Sequence, residues 1–233
     1  MAVHFNEIVP WGRARKEYEL IFSLTEQDLG SRILDCGGGP ASFNAEASAN
    51  GIQIISADPI YTFSSADIRK RFEATVDSMM AQVRATPDDW TWSYHRNPDH
   101  LLRNRRAVLE TFLADYDQGR RERRYVVGEL PLLPFASNSF GIAVCSHLLF
   151  LYSDLLSAEF HIQSVLELCR AAREVRIFPL LTLRRKLSPH IEAVRSALKS
   201  AGWMSEVVRV NYELQRDGNQ MLRIFRPEDR CIQ

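Results

Sequence analysis

Short apolar runs rich in β-branched residues alternate along this chain with longer stretches whose apolar positions recur every three or four residues. Residues 31–36 read as a strand that runs into three glycines. Residues 40–50 follow as a helix, with Pro40 at its first position and Gly51 as the left-handed residue past its end. Residues 53–57 form a second strand stopped by Asp58-Pro59, residues 125–127 a third, and residues 140–145 a fourth. A helix over 155–172 carries Phe160, Ile162, Val165, Leu166, Leu168 and Cys169 at helical spacing, and residues 175–178 give a fifth strand closed by Pro179. Ser188-Pro189 has the order expected where a helix opens, and Gly202 ends that helix. Runs 206–212 and 219–225 then read as an antiparallel hairpin around the turn dipeptide Asp217-Gly218. Strand–helix–strand repetition of this kind predicts a doubly wound, Rossmann-like α/β fold, with helices on both faces of a mostly parallel sheet.

One segment exceeds what such a fold requires. Residues 62–124, between the second and third strands, hold two amphipathic patterns: Ile68, Phe72, Val76, Met79, Met80 and Val83, then, past Pro87, Leu101 to Tyr116. They read as a helical insertion into a single domain covering 1–233.

Composition narrows the class. A chain of 233 residues with 45% hydrophobic and 25% charged content builds its own core without disulfides or a metal. Cys36, Cys145, Cys169 and Cys231 lie far apart and give no zinc or disulfide pattern, so buried reduced thiols are expected. No stretch is long and apolar enough to span a bilayer, and the first residues lack the order of a signal peptide. Those two readings predict a cytoplasmic protein with no membrane partner. A net charge of zero speaks against a nucleic-acid-binding protein.

The candidate chemistry centres on Ile33-Leu-Asp-Cys-Gly-Gly-Gly-Pro40, a strand delivering a glycine turn into a helix. Glycines let a ligand approach the backbone, and the helix N-terminus behind them favours a negative group. Asp58 lies 19 residues beyond Gly39, at the end of the second strand, where an acid receives the hydroxyls of a ribose. A P-loop is excluded, because Pro40-Ala41 stands where Lys-Ser/Thr is required; the third glycine of an NAD fingerprint is replaced by Ser42. Asp35 beside the loop repels a pyrophosphate and suits an ammonium group.

From Ile33 to Phe225 the sequence resembles the class I S-adenosylmethionine-dependent methyltransferases, and within them an uncharacterised bacterial subgroup. The segment 33–39 is similar to their first motif, Gly128-Glu-Leu-Pro-Leu-Leu-Pro-Phe135 to the segment after the third strand, and Asn138 to His147 to the fourth-strand motif, with Gly141 where an acid is usual. The resemblance implies a seven-stranded sheet with an antiparallel C-terminal hairpin and S-adenosylmethionine as cofactor. It implies that Asp35 and Gly37, Gly38 and Gly39 line the methionine end, that Asp58 and Pro59 meet the ribose, and that Gly128, Glu129 and Leu130 meet the adenine. Ser146 then contacts the cofactor through its backbone.

For catalysis, His147 follows the fourth strand at the ligand edge of the sheet and is the candidate base. For the acceptor, Trp11 and Tyr18 in the N-terminal arm, Trp92 in the aromatic run 90–95, and Arg184 and Arg185 after the fifth strand are the candidates. No Asn/Asp-Pro-Pro-Tyr follows the fourth strand, which disfavours base methylation. The expectation is methyl transfer to oxygen or nitrogen of a small molecule, with nucleic acid disfavoured and a homodimer left open. The alternatives are a non-catalytic protein that binds S-adenosylmethionine or S-adenosylhomocysteine, and an RNA methyltransferase. The zero net charge is also uneven: residues 1–62 hold 4 basic and 8 acidic side chains, which suits a cationic cofactor.

Overall fold

A computed structural model describes residues 9–227. Its sheet has seven strands in the order β3-β2-β1-β4-β5-β7-β6. The strands are β1 (Ile33–Cys36), β2 (Ile54–Ala57), β3 (Tyr125–Val126), β4 (Phe140–Ser146), β5 (Ala172–Phe178), β6 (Met204–Arg209) and β7 (Gln220–Phe225). Neighbouring strands run parallel except where β7 pairs with β5 and β6. The chain winds outward from β1 through β2 to β3 and then returns to β4 on the other side of β1. That reversal makes the carboxyl ends of β1 and β4 a topological switch point, where open α/β sheets receive ligands.

Two hydrophobic cores sit on the two faces. One gathers Ile33, Ile54, Ile142 and Val144 of the sheet with α1 (Arg15–Ile21), α3 (Phe43–Ser48), α4 (Ser65–Ala85) and α5 (Pro98–Arg121). The other gathers Leu34, Ala143, Cys145 and Ile177 with α6 (Ala158–Ala171) and α7 (Ile191–Ser200). Neighbours in one strand point to opposite faces, so the pairs Ile33/Leu34 and Val144/Cys145 divide between the cores. A single-turn helix α2 (Glu26–Leu29) precedes β1.

Several boundaries differ from the sequence reading. Helix α3 begins at Phe43, not Pro40, because the Ser42 N–H is taken by the carbonyl of Arg13 at 3.2 Å and its hydroxyl by Glu46. Helix α6 starts at Ala158, capped by the Ser157 hydroxyl, and β5 follows it at Ala172 without a loop. Helix α7 begins at Ile191, since the Ser188 hydroxyl turns inward to Ser153 and also accepts the His190 N–H. Strands β6 and β7 do pair antiparallel, but residues 210–219 join them as a loop. The Asp217-Gly218 turn lies at its far end and closes by a Gly218 N–H bond to the Gln215 carbonyl.

Residues 62–124 hold two long helices of unequal role. Ser64 caps α4 through the Asp67 N–H, and Asn97 caps α5 ahead of Pro98. Helix α5 packs on α3 and beside β3, the place of an ordinary crossover helix. Helix α4 is the added element, packed on α5 through Ile68, Phe72, Val76 and Met80. The linker between them is tied to the 210–219 loop, Thr91 N–H to Leu214 carbonyl at 2.8 Å and Arg216 N–H to Asp89 carbonyl at 2.8 Å. Among the described residues, no helix is long and apolar enough to cross a membrane.

Candidate functional site

Strand β1 ends at Cys36, and the glycines after it are required by conformation and by space. Gly37 and Gly39 have φ of 71° and 58°, and a Cβ on Gly38 would lie 2.4 Å from an Asp35 carboxylate oxygen. The loop is fastened to β2: Gly37 N–H donates to the Ala57 carbonyl at 2.9 Å, and Gly39 N–H to Asp58 Oδ2 at 2.9 Å. The other Asp58 oxygen accepts the Ile60 N–H at 2.8 Å. Burial pushes the Asp58 carboxyl up to about 6, against the pull of those two backbone donors and with a further push from Glu129.

A cavity of about 620 Å³ opens over this loop. Its sheet-edge wall is Cys36, Gly37, Gly38, Gly39, Ala57, Asp58, Pro59, Gly128, Glu129, Leu130, Ser146 and His147. These come from the carboxyl ends of β1, β2, β3 and β4, which the sequence placed together. The far wall is mostly apolar: Ala74, Met79 and Val83 of α4, Trp90, Leu101, Leu148, Leu151, Leu156, Phe160, Leu183 and Leu214, with Arg71, Thr75 and Gln215 among them. Met79 faces this cavity, one flank away from the stripe α4 buries in the core.

Asp35 is not among the cavity-lining residues. It lies 1% exposed beneath the loop, accepting the Tyr18 hydroxyl at 2.9 Å and the Ser56 hydroxyl at 3.1 Å, and burial raises its carboxyl to about 7. Its hydrogen bonds run to Tyr18 and Ser56 and not to the cavity, where a cofactor ammonium was expected to meet it. Tyr18 is likewise committed to Asp35 and stacked on Phe43 at 4.2 Å, away from the cavity. Trp92 packs on the core, and Trp90 takes the position at the cavity. Arg184 pairs with Asp154 at 2.9 Å, and Arg185 with Asp89 at 2.7 Å and Asp217 at 3.5 Å. Neither arginine lines the cavity, because carboxylates distant in sequence claim them first. Of the acceptor candidates only Trp11 stands at the cavity.

His147 does line it. Its φ of 53° is left-handed, and its N–H donates to the Phe178 carbonyl at 2.6 Å. Nδ1 meets the Ser146 hydroxyl at 2.9 Å, and Nε2 has no partner among the described residues. Burial, then the charges of Arg13 and Arg105, hold the imidazole well below its ordinary value. It is therefore neutral at physiological pH and a weaker base than the sequence reading assumed. The cysteine reading fits: Cys36, Cys145 and Cys169 are buried free thiols pushed up by burial, and Cys231 lies outside the described residues.

Two charged cavity residues escaped the sequence reading. Arg13 lines the cavity with only the Trp11 carbonyl as hydrogen-bond partner, at 3.0 Å, and no carboxylate in ion-pair contact among the described residues. Arg71 of α4 lies over the Phe63 ring at 3.9 Å. The signal for Arg13 was its neighbour Gly12: a Cβ there would lie 2.0 Å from the Pro40 carbonyl oxygen, so the Trp11-Gly-Arg13 arm rests backbone to backbone on the end of the glycine loop.

Strand order, glycine loop and the acid at the end of β2 together define the class I methyltransferase fold. The chain belongs to the family of the uncharacterised protein MJ0045 of the archaeon Methanocaldococcus jannaschii, with 30% identity over 225 residues, 96% of this chain and 99% of that protein. The relative is archaeal, whereas the sequence resemblance pointed to a bacterial subgroup. No family model matches the chain. Among solved structures, magnesium protoporphyrin IX methyltransferase from Synechocystis PCC 6803 with bound S-adenosylmethionine is similar at 12% identity, 86% of this chain, 73% of that chain and TM-score 0.44. NcsB1, an O-methyltransferase from neocarzinostatin biosynthesis, is similar at 12% identity, 91% of this chain, 55% of that chain and TM-score 0.47.

Proposed function

We propose that this protein is an S-adenosylmethionine-dependent methyltransferase acting on oxygen or nitrogen of a small molecule. The observation that carries the proposal is the Asp58 carboxylate, bonded to the Gly39 N–H across the mouth of the glycine loop at the switch point of the sheet. The residues present fit the cofactor. Bare glycine backbone lets a ligand lie against the loop, Asp58 is an acceptor for ribose hydroxyls, and the exposed Glu129 stands at the rim beside Leu130 for an adenine amino group. The bound cofactor supplies an electrophilic methyl on sulfur, so the protein's share is position and dryness. The mostly apolar far wall excludes water from the acceptor. His147 offers Nε2 as a hydrogen-bond acceptor when Nδ1–H points to Ser146.

An RNA acceptor gains no support from Arg184 and Arg185, which are paired with acids of the chain itself. Calorimetry tests the cofactor assignment. S-adenosylhomocysteine is expected to bind and NAD not to. Asp58→Ala is expected to weaken S-adenosylhomocysteine by about 1.5–3 kcal/mol, roughly tenfold to a hundredfold. Asp58→Asn, which keeps the shape and the acceptor toward Gly39, separates lost ribose contact from a loosened loop. Unchanged affinity in both variants removes the ribose assignment.

A further inference from the structure

Two carboxylates and two guanidiniums line the cavity. Its carboxylates, Asp58 and Glu129, belong to the end assigned above to ribose and adenine. Its guanidiniums are Arg71 of α4, laid over the Phe63 ring at 3.9 Å, and Arg13 of the N-terminal arm. The arm that carries Arg13 is fastened to the segment after β4, where the Val9 N–H donates to the Tyr152 hydroxyl at 3.1 Å. A guanidinium taken out of water without a carboxylate is unfavourable, and burial accordingly lowers its proton affinity. An arginine in that condition, at the edge of a binding cavity, is matched by a ligand anion that forms the bidentate pair it lacks. Met79 and Val83 from α4, Leu151, Phe160 and Leu214 give the same cavity a largely hydrocarbon lining, with Thr75 and Gln215 among it.

We propose that the acceptor is an apolar carboxylic acid, bound as its carboxylate to Arg13 with its hydrocarbon body under α4, and methylated on a carboxylate oxygen. This rests on the methyltransferase reading above. In the step, a lone pair of the carboxylate oxygen forms the new O–CH3 bond as the S–CH3 bond breaks. The bonding pair returns to sulfur, leaving a neutral ester and a neutral thioether. No proton is released, so no general base is required, which agrees with a His147 that stays neutral and weakly basic. Arg13 holds the attacking group in place and is relieved of its anionic partner when the ester forms, which favours release of product.

The cofactor's own carboxylate is the competing anion for Arg13, and the test separates the two. Calorimetry first measures S-adenosylhomocysteine on the wild type; failure to bind defeats the cofactor reading itself. The saturated complex is then titrated with 4-phenylbenzoate, dodecanoate and the matching amides. The expected result is binding of at least one acid, with its amide tenfold weaker or more. Arg13→Gln is expected to lose the acid preference while S-adenosylhomocysteine affinity changes less than threefold, and Arg13→Lys to restore part of the preference. With S-adenosylmethionine, the acid that binds is expected to yield a product whose methyl is released as methanol by alkali. Four results each overturn the proposal: neither acid bound by a cofactor-saturated protein, an amide bound as well as its acid, an alkali-stable methyl product, or an Arg13→Gln loss that falls on S-adenosylhomocysteine. The last assigns Arg13 to the cofactor.

Discussion

Asp35 carries its charge at a depth where water cannot support it, and two hydroxyls are its only compensation. The carboxyl titrates at about 7 in the fold, against an ordinary value near 3.8. Between those values the folded protein keeps a proton that the unfolded chain has lost. Stability from this group therefore falls as pH rises from about 4 to about 7, and levels off above, by at most about 4 kcal/mol. In Asp35→Asn that slope disappears, and urea midpoints measured across this range in both proteins check it. Asp58, raised to about 6, adds a slope of the same sign in both, so the difference between the curves isolates Asp35. The same residue marks what a sequence conveys at this scale. Asp35 beside three glycines is legible as part of the loop, but not whether its carboxylate looks up at a ligand or down at Tyr18. Arg184 and Arg185 stood out as a basic run, yet Asp154, Asp89 and Asp217, which neutralise them, are distant in sequence. Arg13, a single arginine in a loop, has no period to betray it.

At the scale of elements, α5 is fastened to α1 by a buried ion pair. Glu17 of α1 accepts two bonds of 2.7 Å from Arg105 of α5 and one of 2.8 Å from the Tyr212 hydroxyl, with His95 Nε2 at 3.1 Å. Burial opposes the Glu17 charge, but Arg105 overrides it and holds the carboxyl well below its usual range. Four segments far apart in sequence thus meet at one charge: the N-terminal arm, the linker before α5, α5 itself and the 210–219 loop. Arg105→Leu leaves Glu17 buried and unpaired and is expected to lower unfolding free energy by about 3–5 kcal/mol. Glu17→Gln combined with Arg105→Leu removes both charges and is expected to lose less than the single Arg105 change, by denaturant unfolding of each variant. The helices α4 and α5 were legible from the spacing of Ile68 to Val83 and Leu101 to Tyr116, because core burial imposes that period. Their division of labour was not, since α5 as crossover and α4 as cavity wall follow from packing partners. Helix starts shifted where a side chain or carbonyl from elsewhere took the capping group, as Arg13 does at Ser42.

For the molecule as a whole, strand order converts local pattern into a site. Alternating runs gave the strands their faces, the glycines after β1 and the acid after β2 marked the ligand edge, and right-handed crossovers left β1 and β4 adjacent. Because the cavity draws on β1 to β4, the N-terminal arm, α4 and the 210–219 loop, a ligand there contacts pieces that unfolding would scatter. Binding to the folded state alone then stabilises every one of them together. At a hundred times its dissociation constant a ligand adds about 2.7 kcal/mol, which for a chain of this length raises the melting temperature by roughly 5–10 °C. S-adenosylhomocysteine is expected to produce that shift in a thermal melt followed by circular dichroism, growing by about 1.4 kcal/mol in equivalent free energy for each further tenfold in concentration. Asp58→Ala, at the same absolute concentration, is expected to show a shift smaller by about 1.4–2.4 kcal/mol in equivalent free energy. A variant that melts lower without ligand but shows the full ligand shift assigns Asp58 to the loop alone. A variant that melts as the wild type without ligand and loses the shift assigns it to the ribose.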